Sequence, residues 1–169
     1  MVHLYCGDGK GKTTAAMGLA LRMAGRGGGV VVAQFMKSED SGERRALGHV
    51  PGVTLLDVPE QVKFSYQLTP EERRGEALRS LALLDHARAL ALEPNCRLVV
   101  LDEVCGAVET GLLELAPLLD FLDHVQAEVV LTGRSPAQPL LDRADYITRF
   151  EKVRHPFDRG VKARMGIEF

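Results

Sequence analysis

Gly7-Asp8-Gly9-Lys10-Gly11-Lys12-Thr13-Thr14 follows a short apolar run, Val2–Cys6, and opens a stretch of helical character. Glycines let a backbone curl until successive N–H groups face one concavity. A helix starting there adds the partial positive charge of its N-terminus. Strand, glycine loop, Lys-Thr and helix in that order make a phosphate-binding loop. On this reading Gly7 to Thr14 hold a nucleoside triphosphate, the Lys12 ammonium reaches the β- and γ-phosphates, and the Thr13 hydroxyl ligates Mg²⁺. The usual pattern has a glycine where this chain has Cys6; Gly7 and Gly9 restore the flexibility.

The bulk composition agrees with a nucleotide-handling globular protein. A chain of 169 residues suits one domain, residues 1–169, with one sizeable core. Hydrophobic content of 46% against 26% charged is that of an ordinary soluble domain. A formal net charge of −2 gives no electrostatic reason for a nucleic acid or an anionic membrane as partner. No apolar run approaches a membrane span, and no basic segment leads into a long apolar one as in a secretory signal. Cys6, Cys96 and Cys105 are too few and too scattered for a disulfide framework or a zinc site, so a reducing cytoplasm is the expected compartment. Cys6 and Cys105 read as small core fillers.

Outward from the loop, apolar β-branched runs alternate with helical stretches. Strands are expected at Val2–Cys6, Val30–Phe35, Val53–Val58, Leu98–Leu101, Glu128–Leu131 and Tyr146–Phe150. Several are continuous rather than alternating, as in strands buried on both faces. Helices are expected at Lys12–Ala24, Pro70–Leu92, Leu115–Val125 and Pro139–Arg143. The second of these has Thr69 as N-cap, Pro70 as first residue, Glu72 completing a capping box, and Leu78, Leu81, Ala82 and Asp85 along one edge of an apolar stripe. The pattern predicts an α/β fold, a P-loop NTPase-like (RecA-like) three-layer sandwich with a mostly parallel sheet of about six strands. Lys37 to Thr69 is the longest weakly patterned stretch, and loops at the carboxyl ends of parallel strands build binding crevices.

Four further features carry chemistry. Arg97-Leu98-Val99-Val100-Leu101-Asp102-Glu103 is an apolar strand ending in adjacent carboxylates; either carboxylate can face Thr13 across Mg²⁺, or both are solvated at a strand end. Arg134, in Thr132-Gly133-Arg134, ends another strand on the same rim, where a guanidinium can fork onto a terminal phosphate or simply face solvent. Arg22, on the loop's own helix, turns toward the phosphates or toward solvent. Phe64 and Tyr66 stand two apart in a chain with only 5% aromatics, either lining a pocket from one side of an extended segment or filling the core from a short strand. The basic tail from Lys152 to Phe169 and the run Glu71-Glu72-Arg73-Arg74 read as solvated faces, and the five histidines show no metal spacing. The loop by itself leaves three activities open: a transferase, a small-molecule kinase or ATPase, and a non-catalytic nucleotide switch.

Together, G-D-G-K-G-K-T-T-A-A at Gly7–Ala16, Q-F-M-K at Gln34–Lys37 with Gly42-Glu43, V-V-L-D-E at Val99–Glu103, L-T-G-R at Leu131–Arg134 and G-V-K-A-R-M-G-I-E at Gly160–Glu168 resemble the bacterial ATP:corrinoid adenosyltransferases across essentially the whole chain. The resemblance implies that the loop binds ATP with Mg²⁺ (or Mn²⁺). It implies that Co(I) of a reduced corrinoid attacks the ribose 5′ carbon, and that triphosphate leaves intact. It implies Glu103 beside Thr13 at the metal and Arg22 and Arg134 near the phosphates. Lys12, Arg134, Phe64 and Tyr66 then serve the chemistry, the aromatic pair lying against the lower face of the corrin, where it helps displace the lower axial ligand. It further implies a cytoplasmic homodimer supplied by a flavoprotein or flavin reductant. Relatives often carry an amino-terminal arm over the corrinoid, whereas this sequence starts at its first strand, so a more open site, or closure by a partner subunit or ligand, is expected.

Overall fold

In the computed structural model, which describes residues 1–167, six strands form one sheet in the order β3-β2-β4-β5-β1-β6. They are β1 (Val2–Cys6), β2 (Gly29–Gln34), β3 (Val53–Leu55), β4 (Cys96–Asp102), β5 (Glu128–Thr132) and β6 (Tyr146–Arg149). Every neighbouring pair is parallel, so all six carboxyl ends share one rim. The helices are α1 (Lys12–Ala24), α2 (Gly42–Leu47), α3 (Pro70–Ala91), α4 (Val104–Glu109), α5 (Leu115–His124) and α6 (Gln138–Arg143).

The strand period of two divides the buried residues between two cores. Val30, Val32, Leu98, Val100 and Val130 face Ala16, Met17 and Ala20 of α1 and Leu47 of α2. Their neighbours Val31, Ala33, Val99, Leu101, Val129 and Leu131 face Leu84 and Ala87 of α3, Leu118 and Phe121 of α5 and Leu140 of α6. Both faces of the central strands are therefore apolar, which is why those strands read as unbroken runs. Among the described residues no helix is long and apolar enough to cross a membrane.

The structure corrects several boundaries. β3 stops at Leu55, not Val58: the Leu56 amide donates a last bond to the Val32 carbonyl, and Pro59, lacking an N–H, cannot extend the ladder. α2 and α4 were not expected; each is six residues, and glycines at Gly42, Gly48 and Gly106 disguise them as loop. In α3 the capping box forms, but the buried face is Ser80, Leu84 and Ala87, while Leu78 is 70% exposed and Leu81 also faces solvent. Its apolar residues surround the helix too evenly for the sequence to select a face. Glu168, at the end of the carboxyl-terminal motif, lies outside the described residues.

Candidate functional site

The glycine loop connects the end of β1 to α1 at the shared rim. Its shape is set from outside by the chain that follows β6. The Gly9 amide donates to the Phe150 carbonyl at 2.8 Å, and the Lys152 amide donates to Asp8 Oδ1 at 3.1 Å. This last bond holds the Asp8 carboxyl below its ordinary range. A Cβ on Gly9 would sit 2.7 Å from the Phe150 carbonyl carbon and 2.8 Å from the Glu151 backbone, so no side chain fits there. Gly11, at the N-cap of α1, has φ 113°, in the left-handed region that favours glycine. Lys12 folds back over the loop, its Nζ donating to the carbonyls of Gly7 and Gly9 at 2.8 Å each. Burial pushes its pKa down, Glu103 pulls the other way, and Arg134 adds to the depression.

Beside the loop lies a polar cluster centred on Asp102, the last residue of β4. Its side chain is 0% exposed and accepts from Thr13 Oγ1 at 2.9 Å, Thr132 Oγ1 at 2.7 Å and Gln34 Nε2 at 3.1 Å. Lys37 supplies the countercharge, with Nζ 3.2 Å from Asp102 Oδ2 and 3.3 Å from Glu43 Oε1. The same ammonium lies 3.4 Å from Thr13 Oγ1. Burial opposes the Lys37 charge, but Asp102 and Glu43 outweigh it and raise its pKa. Gln34 is fixed from both ends, because its carbonyl accepts from Arg44, whose other arm reaches the Leu56 carbonyl.

Two residues here are held in left-handed backbone conformations that cost a side-chain-bearing residue about 1–3 kcal/mol: Met36, with φ 55°, and Glu103, with φ 59°. They turn the chain just past β2 and β4. Glu103 is pinned by its amide donating to Thr132 Oγ1 at 2.8 Å, and its carboxyl lines the cavity over the loop. Burial raises the Glu103 pKa, Asp102 adds to the rise, and Lys12, Lys37 and Arg134 resist it.

Among the cavities on the rim, two border the loop and the aromatic pair. One, of about 850 Å³, is bordered by Gly9 to Thr14, Glu103 and Arg134. The other, of about 340 Å³, lies between the Met36–Glu43 segment and Val62–Ser65. Lys37 and Glu43 line both. Phe64 borders the second cavity and stacks on Tyr66, with ring centroids 5.5 Å apart and planes 11° apart. The pair is neither in an extended strand nor in the core. Ser65–Gln67 forms a 3-10 turn, leaving Phe64 67% and Tyr66 78% exposed.

Of the residues singled out by sequence, the structure gathers Lys12, Thr13, Glu103 and Arg134 around the larger cavity, and places Phe64 and Tyr66 beside the smaller one. Arg22 is not brought in: it is exposed on the last turn of α1, about 15 Å along the helix from Lys12 at 1.5 Å per residue. Arg73, read as part of a solvated face, is half-buried and bonds two carbonyls. Gln34, Lys37, Glu43 and Thr132 had been given no role. Polar residues closing apolar strands are a signal that could have marked Gln34 and Thr132; no such signal marks Lys37 or Glu43.

Fold and site together define a parallel α/β protein with a glycine loop, a buried acid and two adjoining cavities at the carboxyl rim. The sequence model of the family described as ATP:corrinoid adenosyltransferase BtuR/CobO/CobP matches residues 1–169, and the chain belongs to that family. It is 34% identical to the corrinoid adenosyltransferase CobA of Salmonella typhimurium, covering 100% of this chain and 85% of the relative. It is 32% identical to the corrinoid adenosyltransferase of Escherichia coli K12, with the same coverage. It is also 32% identical to that of Pseudomonas aeruginosa, over 98% of this chain and 82% of the relative.

Proposed function

We propose that this protein transfers the 5′-deoxyadenosyl group of ATP to the cobalt of a reduced corrinoid. The observation that carries this reading is the pair of cavities sharing the wall Lys37–Glu43, one edged by the glycine loop and the other by an exposed aromatic pair. A kinase needs a phosphoryl acceptor at the terminal phosphate, whereas this transfer needs a large, flat second substrate beside the nucleotide.

In the reaction Co(I) donates an electron pair to the ribose C5′, a cobalt–carbon bond forms and the C5′–O5′ bond breaks. The pair from that bond leaves on triphosphate, and cobalt ends formally as Co(III). The nucleophile belongs to the substrate, so the chain's task is to position and to stabilise charge. Gly7 to Thr14 hold the triphosphate through amides at the start of α1. Lys12 leaves the Gly7 and Gly9 carbonyls to pair with phosphate oxygens, and Arg134 meets the charge on the departing group. Phe64 and Tyr66 lie against the lower face of the corrin, keeping water and the axial base from the cobalt.

The oxygen donors around Lys37 suit a divalent cation, because its ammonium already stands as a cation among Thr13, Asp102 and Glu43. Of that set Thr13, backed by Asp102, would hold Mg²⁺ together with Glu103, which lines the same cavity, and the ion would supply charge neutralisation for the triphosphate. We further assign the activity to one domain, residues 1–169, acting as a cytoplasmic homodimer with a flavin-dependent reductant.

The test is anaerobic incubation in dim light with MgATP and chemically reduced cobalamin. A light-sensitive alkylcobalamin together with triphosphate is the expected product. ADP instead would replace this reading with a kinase or ATPase, and binding without turnover would replace it with a nucleotide switch.

A further inference from the structure

The aromatic pair is held in place by little. Between β3 and α3 the chain runs from Leu56 to Thr69 with a single 3-10 turn as regular structure. An exposed pair of stacked rings gains nothing from core packing, so its position depends on the backbone beneath it. That backbone is fastened by Arg73, in the first turns of α3. One guanidinium nitrogen donates to the carbonyl of Ser65, between the two rings in sequence, at 3.2 Å. The other donates to the carbonyl of Thr110 at 2.5 Å. Thr110 is the C-cap of α4, the helix whose N-cap is Glu103.

Each bond has a physical reason to persist. Carbonyls at a helix C-terminus lack intrahelical partners and carry partial negative charge, which a guanidinium complements. The planar fork presents two nitrogens to two carbonyls in a fixed geometry, whereas a lysine would have to serve both from one nitrogen on a flexible stem. Thr110 is held in turn, its hydroxyl donating to the Gly106 carbonyl at 2.8 Å and contacting Met36 Sδ at 3.9 Å. Met36 borders the second cavity. Arg73 therefore joins the aromatic turn at the edge of that cavity to the end of α4 and, through Thr110, to Met36 on the cavity's other side. The Lys63–Glu72 ion pair ties the same turn to α3, but both partners are exposed, so it contributes little.

We infer that Arg73 is a positioning residue for the second substrate: by clamping the Ser65 carbonyl to the end of α4 it sets the height and tilt of the Phe64–Tyr66 stack, and with it the fit of a flat conjugated macrocycle. This rests on the function proposed above. Arg73 touches no substrate and acts only through the aromatic turn.

The test has two arms. The chain contains no Trp, so a Tyr66→Trp variant carries a unique fluorophore on the turn. In that background Arg73→Ala should lower the steady-state anisotropy of the indole, with neither ATP nor corrinoid present. In the native background Arg73→Ala should raise KM for the corrinoid about tenfold, the effect of losing a charge-assisted hydrogen bond, with KM for ATP within about twofold. Arg73→Lys should recover only part of the loss, because one ammonium nitrogen does not reproduce the rigid placement of two guanidinium nitrogens on the two carbonyls. Unchanged anisotropy together with unchanged corrinoid KM overturns the assignment, as does a fall in melting temperature that affects both substrates equally. If the parent protein transfers no adenosyl group, the proposed function fails by itself, and the anisotropy arm alone decides whether Arg73 fixes the turn.

Discussion

Asp102 shows how tightly one residue can be specified. A wholly buried carboxylate needs its lone pairs filled and its charge met, and Thr13, Thr132, Gln34 and Lys37 do both. Glu103, one position on, turns through φ 59° and faces the larger cavity, so one of the adjacent acids is sealed within the fold and the other is presented to the cavity. The pKa shifts have a consequence for activity. In the metal-binding role proposed above Glu103 must be ionised, and burial raises its pKa, so the acid limb of kcat/KM for ATP should lie above the ordinary glutamate range. In the phosphate-binding role proposed above Lys12 must be protonated, and burial lowers its pKa, so the alkaline limb should lie below the ordinary lysine range. A pH profile narrower than the two ordinary values would give is the expected result, and Glu103→Gln should remove its acid limb. Cysteine reactivity follows from the same physics. Burial pushes the Cys105 thiol up to about 12, with Glu103 and Cys6 adding to the rise, so it stays protonated and inert near neutral pH. Native protein treated with iodoacetamide should carry the label on half-buried Cys96 and none on Cys105, as read by peptide mass spectrometry.

Among the secondary-structure elements, glycines separate conformational necessity from mere composition. Gly75 sits inside the 22-residue α3 with open space where a Cβ would go, so Gly75→Ala should stabilise the protein by about 1 kcal/mol. Gly9→Ala should do the reverse, because its Cβ would drive into the Phe150–Glu151 backbone that shapes the loop. Urea unfolding of both variants checks the opposite signs. The sequence disclosed these elements unevenly, for physical reasons. β2, β4 and β5 announced themselves because both faces are buried, and α3 because its cap is chemically explicit. The six-residue helices α2 and α4 complete too few turns to show a period. The aromatic turn was read as extended because two residues of separation is also the period of a strand. It is a tight turn closed by the Gln67 amide donating to the Phe64 carbonyl at 2.8 Å, and Arg73 braces it from α3.

On the scale of the whole molecule the parallel sheet makes the site by bringing distant residues to one rim. Glu103 and Arg134 follow β4 and β5, and adjacency to strand ends singled them out in the sequence, whereas the glycine loop after β1 singled out Lys12. Lys37 was not legible, because nothing local to it predicts a bond to Asp102, whose position in the sheet comes from β2–β4 pairing. Binding of MgATP should stabilise the folded chain by about 2.7 kcal/mol when the nucleotide is at a hundred times its Kd. The resulting rise in melting temperature should vanish in Lys12→Ala, which leaves the hydrophobic core untouched. The wall formed by Lys37 and Glu43 between the two cavities has a thermodynamic corollary. A ligand that draws the ammonium out of its acidic cluster on one side changes the surface met by a ligand on the other. Two such binding events are linked, and linkage is symmetric: whatever factor the nucleotide applies to the affinity of its neighbour, the neighbour returns to the nucleotide.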